Sequence, residues 1–316
     1  MIISIIIPIY NGEKTIETLV DDLLKRLAYD KIEVILVNDG SADNSHNVCI
    51  SIFKKYSNIV KYIVLTKNFG EHNAVLAGLN YATGDYAVII DDDFQNPPDE
   101  IDKLINGSVQ HKYDVVYSYY TKKQHPWFRN LGSWFNNLVA SWLLNKPRGL
   151  YLSSFKCLNR FIIQEIIKYK GPFPYIDGLV LRSTRNIGKV LVRHDKRREG
   201  KSSYTFKKLL RLWFNMFVNF SISPLRISMI LGFFLFIIGV ILSIYSIIDK
   251  ILNPGIPMGV TSIFVAILLF SGIQMLMLGL LGEYLGKLLL ADNQTPQFVV
   301  RTVFSGETKD RKNDKV

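Results

Sequence analysis

Asp91-Asp92-Asp93-Phe94-Gln95-Asn96-Pro97-Pro98 follows directly on the apolar run Tyr86-Ala87-Val88-Ile89-Ile90. Such a β-prone run ending in three carboxylates reads as a buried strand that delivers acids to the C-terminal edge of a sheet, where α/β folds bind ligands. Adjacent carboxylates repel one another, and a cation relieves that repulsion. Hard oxygen donors favour Mg²⁺ or Mn²⁺, usually shared with substrate phosphates. In an extended chain, alternation sets Asp91, Asp93 and Gln95 on one side and Asp92 on the other, so the first three are expected to form the metal edge. A second reading makes the stretch a helix start. Pro97-Pro98 followed by Asp99-Glu100 is a favourable first turn, which Asp93 or Asn96 would cap.

Working outward, Ile2-Ile3-Ser4-Ile5-Ile6-Ile7-Pro8-Ile9 is a nearly continuous β-branched run ended by Tyr10-Asn11-Gly12, as in a strand buried on both faces. Residues 13–28 carry apolar side chains at helical spacing. The pattern then repeats, with strands expected over 32–37, 60–65 and 86–90 and helices over 44–56 and 71–82; a further strand-like run covers 113–120. Strands alternating with helices imply an α/β fold with a mostly parallel, Rossmann-like sheet. Ligands of such sheets sit in the loops after the strands, which here are Tyr10-Asn11-Gly12-Glu13, Asn38-Asp39-Gly40-Ser41, Lys67-Asn68-Phe69-Gly70 and the Asp91 cluster. Asp39 suits a base or ribose, beside a glycine that lets a ligand approach the backbone; equally, Asp-Gly is a common turn pair. No phosphate-binding glycine signature is present, so phosphates are expected to be held by metal and basic side chains.

A net charge of +11 and 48% hydrophobic residues over 316 positions, with a mean hydropathy of +0.16, point to a soluble domain followed by membrane segments. Residues 227–248 and 260–282 are uncharged, and each exceeds the roughly 20 residues needed to cross a bilayer. Residues 126–145 and 206–224 are amphipathic at helical period and rich in Trp and Phe, which suits a membrane interface or, alternatively, ordinary core-facing helices. Basic residues before the first span and after the second place both termini in the cytoplasm of a multi-pass membrane protein. Beside membrane segments, positive charge suits anionic lipid and substrate phosphate rather than nucleic acid. Cys49 and Cys157 show no metal or redox spacing. The expected organisation is a catalytic domain over 1–205, an interfacial helix over 206–224, a two-helix membrane region over 225–290 and a tail over 291–316, charged and disordered after about residue 306.

Arg193-His194-Asp195-Lys196-Arg197-Arg198-Glu199-Gly200-Lys201-Ser202-Ser203-Tyr204 concentrates basic side chains ahead of the second amphipathic segment. It would clamp phosphate oxygens or meet anionic lipid. Together with Pro8-Ile9-Tyr10-Asn11, Asn38-Asp39-Gly40-Ser41, Asn68-Phe69-Gly70, the Asp91 stretch and the two spans, this loop resembles the family 2 glycosyltransferases that use polyprenyl-phosphate acceptors, in their GtrB-like and dolichyl-phosphate mannose synthase-like branch. The resemblance implies a GT-A fold, a nucleotide-sugar donor (a UDP-sugar), a polyprenyl phosphate acceptor such as undecaprenyl phosphate, and inversion at the anomeric carbon. A homo-oligomer is compatible with it. Carried over by position, Pro8, Tyr10, Asn11, Glu13, Asp39, Asn68, Asp91 and Asp92 would surround the nucleotide. Asp91, Asp93 and Gln95 would bind the metal, and Arg129, Arg197 and Lys201 would face phosphates. This chain departs from the pattern at Ser153-Ser154-Phe155-Lys156, where many members carry an acid before Phe-Arg. It also departs at Lys201 and Ser203, which stand where an acid and a lysine are common. A processive polysaccharide synthase would be expected to carry more spans and a Gln-x-x-Arg-Trp segment; a non-catalytic nucleotide-binding scaffold would not depend on its acids.

Overall fold

The computed structural model describes residues 1–27, 31–120, 147, 149–195, 230, 232–234, 237–238, 241, 244, 248, 251–252 and 260–306. The chain divides into two compact units, 1–210 with 294–316, and 211–293. Arg129, Arg197, Lys201 and both amphipathic segments lie outside the described residues.

The first unit is built on β1 (Ile2–Ile9), β2 (Lys31–Asn38), β3 (Val60–Leu65), β4 (Tyr86–Ile89), β5 (Val115–Tyr119), β6 (Lys156–Asn159), β7 (Ile187–Leu191) and β8 (Val300–Phe304). These form one sheet in the order β7-β5-β6-β4-β1-β2-β3-β8. Helices α1 (Ile16–Arg26), α2 (Ser45–Lys55), α3 (Glu71–Tyr81), α4 (Ile101–His111), α5 (Arg160–Ile167) and α6 (Ile176–Ser183) belong to the same unit. Strands β1, β2, β3 and β4 pair in parallel, as the alternating pattern predicts. The apolar run of β1 is buried because it is the centre of the sheet: Ile3, Ile5, Ile6, Ile7 and Ile9 are fully inaccessible, each stabilising by roughly 1.5–3 kcal/mol. α3 closes on it at Gly78, where a Cβ would stand 2.5 Å from a methyl of Ile6.

Register decides where the chemistry can lie. Ile9 faces Asn38, Asn38 faces Val64, and Ile6 faces Ile89, so the loops after β1, β2, β3 and β4 emerge at one edge. β6 runs antiparallel to β4 with Lys156 opposite Ile89, which brings residues 153–156 to that edge. β5 and β7 end there too. The opposite edge carries a structural carboxylate: Glu33 accepts from Ser4 Oγ (2.5 Å), the Thr83 amide (2.6 Å) and Lys61 Nζ (2.7 Å).

β8 comes from the region expected to be tail. It pairs antiparallel with β3, Val300 opposite Leu65 and Phe304 opposite Tyr62, and its Phe304 ring stacks on Tyr62 at 5.6 Å. The strand covers an edge of β3 that would otherwise present unpaired amides and carbonyls. The residues after 306 lie outside those described.

In the second unit the described residues include a long helix, α7 (Val260–Asp292), 33 residues in length. It runs past the second expected span, and its segment Phe270–Leu290 is long and apolar enough to cross a membrane. Described residues of the first expected span are helical.

Candidate active site

The carboxylate stretch does not stay extended. β4 ends at Ile89, residues 92–96 turn, and Phe94 takes a positive φ of 59°. The alternation that set Asp91, Asp93 and Gln95 on one side therefore does not describe this segment. Asp93 Oδ1 accepts the Gln95 amide at 3.0 Å, an Asx-type turn. The helix-cap reading is not observed either: the turn Pro98–Glu100 before α4 has no side-chain cap, and Asn96 Oδ1 instead accepts from Tyr120 Oη at 2.7 Å.

Asp91 is half-buried, and Ser154 Oγ donates to its Oδ2 at 2.6 Å. Burial first, then the charges of Glu71 and Asp93, push its carboxyl up to about 7, against the pull of Ser154 and Lys156. Three carboxylates thus lean on one another at the sheet edge. Among the described residues no three acidic, histidine or cysteine side chains converge into a closed metal cage. An open acidic edge of hard oxygens suits a divalent cation completed by substrate phosphates. Asp92 lies over Gly12, where a Cβ would come within 2.0 Å of its Oδ2.

The remaining residues expected at the nucleotide divide by their surroundings. Tyr10 is 46% exposed at the strand end; Pro8 pairs with Val37 in the sheet; Asn68 is exposed. Asn11 and Glu13 tie two loops together: Asn11 Oδ1 accepts the Ala42 amide (2.9 Å), Glu13 Oε2 accepts the Asn44 amide (2.9 Å), and the Asn11 amide donates to Ser41 Oγ (3.0 Å). Asp39 does the same for the next loop, accepting the amides of Phe69 (2.7 Å) and Gly70 (2.9 Å). Its burial raises the carboxyl's pKa and those amides oppose the rise. Gly40 (φ +64°) is required by the chain itself, not by a ligand: a Cβ would meet the Asn68 nitrogen at 2.5 Å. Asp39→Asn forces an amide group against one of two N–H donors, at a cost of about 1–3 kcal/mol. Hydrogen exchange at Phe69 and Gly70 is expected to accelerate accordingly, by roughly tenfold or more.

Three pairings between distant residues escaped the sequence reading. Lys156 and Asp177 form a buried ion pair, joined by Tyr117 Oη donating to Asp177 Oδ1 at 2.8 Å. His72 packs edge-on against Tyr175 at 4.9 Å, and burial lowers it to a pKa of about 4, so it is neutral. His194 stacks on Tyr120 at 4.3 Å, while Arg193 reaches Asp99 and Glu100 and the Asp195 amide donates to Gln95 O at 3.0 Å. The start of the basic loop is thereby pinned to the carboxylate turn.

Residues 4–167 match Glycosyl transferase family 2, and residues 223–288 match the GtrB C-terminal hairpin. The chain belongs to glycosyl transferase family 2. Over 315 residues it is 30% identical to the undecaprenyl-phosphate 4-deoxy-4-formamido-L-arabinose transferase of Proteus mirabilis, covering 98% of this chain and 96% of that one. The protein of the same name from Photorhabdus laumondii is 30% identical over 316 residues, covering 98% and 96%. Among solved structures, glucosyl-3-phosphoglycerate synthase of Mycobacterium tuberculosis, in complex with Mn²⁺, UDP-glucose and phosphoglyceric acid, superposes with a TM-score of 0.51 at 19% identity, over 68% of this chain and 77% of that one. That likeness concerns the fold, which is GT-A-like. As a family 2 member the chain is a glycosyltransferase.

Proposed function

We propose that this protein transfers a sugar from a nucleotide-sugar, a UDP-sugar, to a polyprenyl phosphate at the cytoplasmic face of a membrane, with inversion. One observation carries the reading. The hydrophobic segment lies in sequence between β7 and β8, which belong to one sheet, so chain on both sides of the segment belongs to one folded body. A segment so placed would cross a membrane an even number of times, in keeping with two spans, and the basic flanks favour the cytoplasm. Full-length similarity to undecaprenyl-phosphate transferases supports the acceptor.

The site's chemistry agrees with a phosphate acceptor. A sugar hydroxyl must lose a proton to attack, whereas a lipid phosphate, with a second pKa near ~6, is already largely a dianion at pH 7. At the place where a carboxylate base would be expected, this chain carries Ser153 and Ser154, and both are engaged. Ser154 donates to Asp91, and Ser153 joins Ser118 (2.8 Å) and Tyr120 (3.0 Å). An acceptor oxygen that attacks C1 of the sugar forms the new bond as the C1–oxygen bond to the nucleoside diphosphate breaks, and no proton needs removal. Asp91, Asp93 and Gln95 would hold a divalent cation, Mg²⁺ or Mn²⁺, which when bound neutralises charge on the departing diphosphate. Tyr10 and Asp39 would receive the base and ribose; Arg129, Arg197 and Lys201 would face phosphates.

The test is purified full-length protein with undecaprenyl phosphate, Mn²⁺ or Mg²⁺, and a panel of UDP-sugars including 4-amino and 4-formamido pentoses. Mass spectrometry of the lipid is expected to show one sugar added by at least one donor. A panel that leaves the lipid unchanged throughout rejects the acceptor.

A further inference from the structure

We infer that the loop from Lys168 to Phe173 is a membrane-contact element, which seats Phe173 in the interface of an anionic bilayer beside the active-site edge. The inference rests on the proposed membrane role and specifies which surface of the catalytic unit meets lipid.

The loop Lys168-Tyr169-Lys170-Gly171-Pro172-Phe173 joins α5 to α6. β6 runs away from the active-site edge and α5 returns toward it, so the loop emerges where Asp177 meets Lys156 and where Tyr175 meets His72. Gln297 Nε2 donates to two of its carbonyls, Tyr169 O at 2.6 Å and Gly171 O at 2.8 Å. Gln297 is five residues beyond the last residue of α7. The chain therefore leaves its apolar helix and fastens this loop before it enters β8, whose first residue, Val300, also lies at the active-site edge.

The loop's shape presents an apolar tip. A Cβ at Gly171 would fall 2.3 Å from Tyr169 Oη, so the tyrosine ring folds beneath the turn. Phe173, between two prolines, is 39% exposed; Lys170 is exposed, as is Lys168, which pairs with Glu165 at 2.5 Å. An exposed aromatic preceded by two exposed lysines, on a loop tied to Gln297 five residues after an apolar helix, matches a surface of anionic head groups over hydrocarbon.

The native thiols permit a clean test. Cys49 and Cys157 are buried, and burial raises each to a pKa of about 12, so neither should react with a maleimide. In the full-length protein in phosphatidylglycerol-containing vesicles, an environment-sensitive fluorophore is placed on Phe173→Cys. In a second sample it is placed on Val109→Cys, an exposed position near the end of α4 at the opposite edge. Doxyl-labelled lipid is expected to abolish most emission at 173 and little at 109. Equal quenching at both, or water-like emission at 173, overturns the inference, and so would burial of the label against protein, which shifts emission without lipid quenching. A second readout uses Phe173→Ser: KM for undecaprenyl phosphate is expected to rise while turnover of a short, water-soluble prenyl phosphate is unchanged. A parallel loss with both acceptors refutes lipid contact. The fluorescence result does not depend on which reaction is catalysed, so failure of the transferase reading and failure of this one remain separable.

Discussion

Asp91→Asn is expected to lower turnover by about 10²–10³-fold, the scale on which removing one preorganised electrostatic group acts in a transition state. The substitution keeps the shape of the side chain and an oxygen for Ser154 to donate to, but removes a negative charge from the edge where a cation would share the diphosphate. Folding should not suffer. Asp91 is held against burial and against the charges of Glu71 and Asp93, so neutralising it relieves repulsion, and the metal-free variant should unfold no earlier than the parent. Two measurements separate the effects: rate of lipid-linked product, and Mn²⁺ binding followed by electron paramagnetic resonance, which should weaken with the rate. Wild-type turnover in Asp91→Asn would contradict a metal role for that carboxylate.

Asp177→Asn acts in the opposite way, through folding first. Lys156 and Asp177 are both buried, and Tyr117 completes the acceptor's environment. Removing the carboxylate strands an ammonium in the interior, which costs about 3–5 kcal/mol. Lys156 and Asp177 sit beneath the site, on β6 and at the start of α6, so the unfolding midpoint and activity should fall together. The double variant Lys156→Met, Asp177→Leu removes both charges and is expected to regain most of the stability, since a buried pair contributes little net stabilisation. If the double variant is as unstable as the single, the pair holds the fold by more than mutual charge. Recovered stability without recovered turnover would indicate that the ammonium also acts on the neighbouring Asp91.

Much of the frame is legible without coordinates because local patterns determine it. β1 is a near-unbroken run of isoleucines, and such a run has few fates other than the centre of a parallel sheet. The loops after β1 to β4 follow from that register, and so does the gathering of Tyr10, Asp39 and Asp91 at one edge. What escapes is pairing between distant residues. Lys156 and Asp177 are 21 positions apart, a separation with no periodic meaning, and neither residue signals burial by type. Asp39-Gly40 illustrates a different limit: the dipeptide marks a sharp turn with a carboxylate, yet cannot say whether the amides it collects belong to a ligand or to Phe69 and Gly70. The extended geometry assumed through Gln95 fails because Asp93 offers its own backbone a turn, a local competition that a strand pattern does not reveal. β8 was hidden by position, since a short run after an apolar helix looks like tail until β3 is seen to lack a neighbour.

That last strand carries a consequence for biogenesis. Val300–Phe304 is synthesised after every apolar residue of α7, so the nascent catalytic sheet keeps one side of β3 unpaired until the whole hydrophobic stretch has left the ribosome. On the proposed topology, maturation would be ordered, with lipid insertion first and closure of the sheet last. A chain that stops short of Val300 keeps an open, aggregation-prone β3, so the integrity of the catalytic sheet depends on synthesis of everything that precedes its last strand.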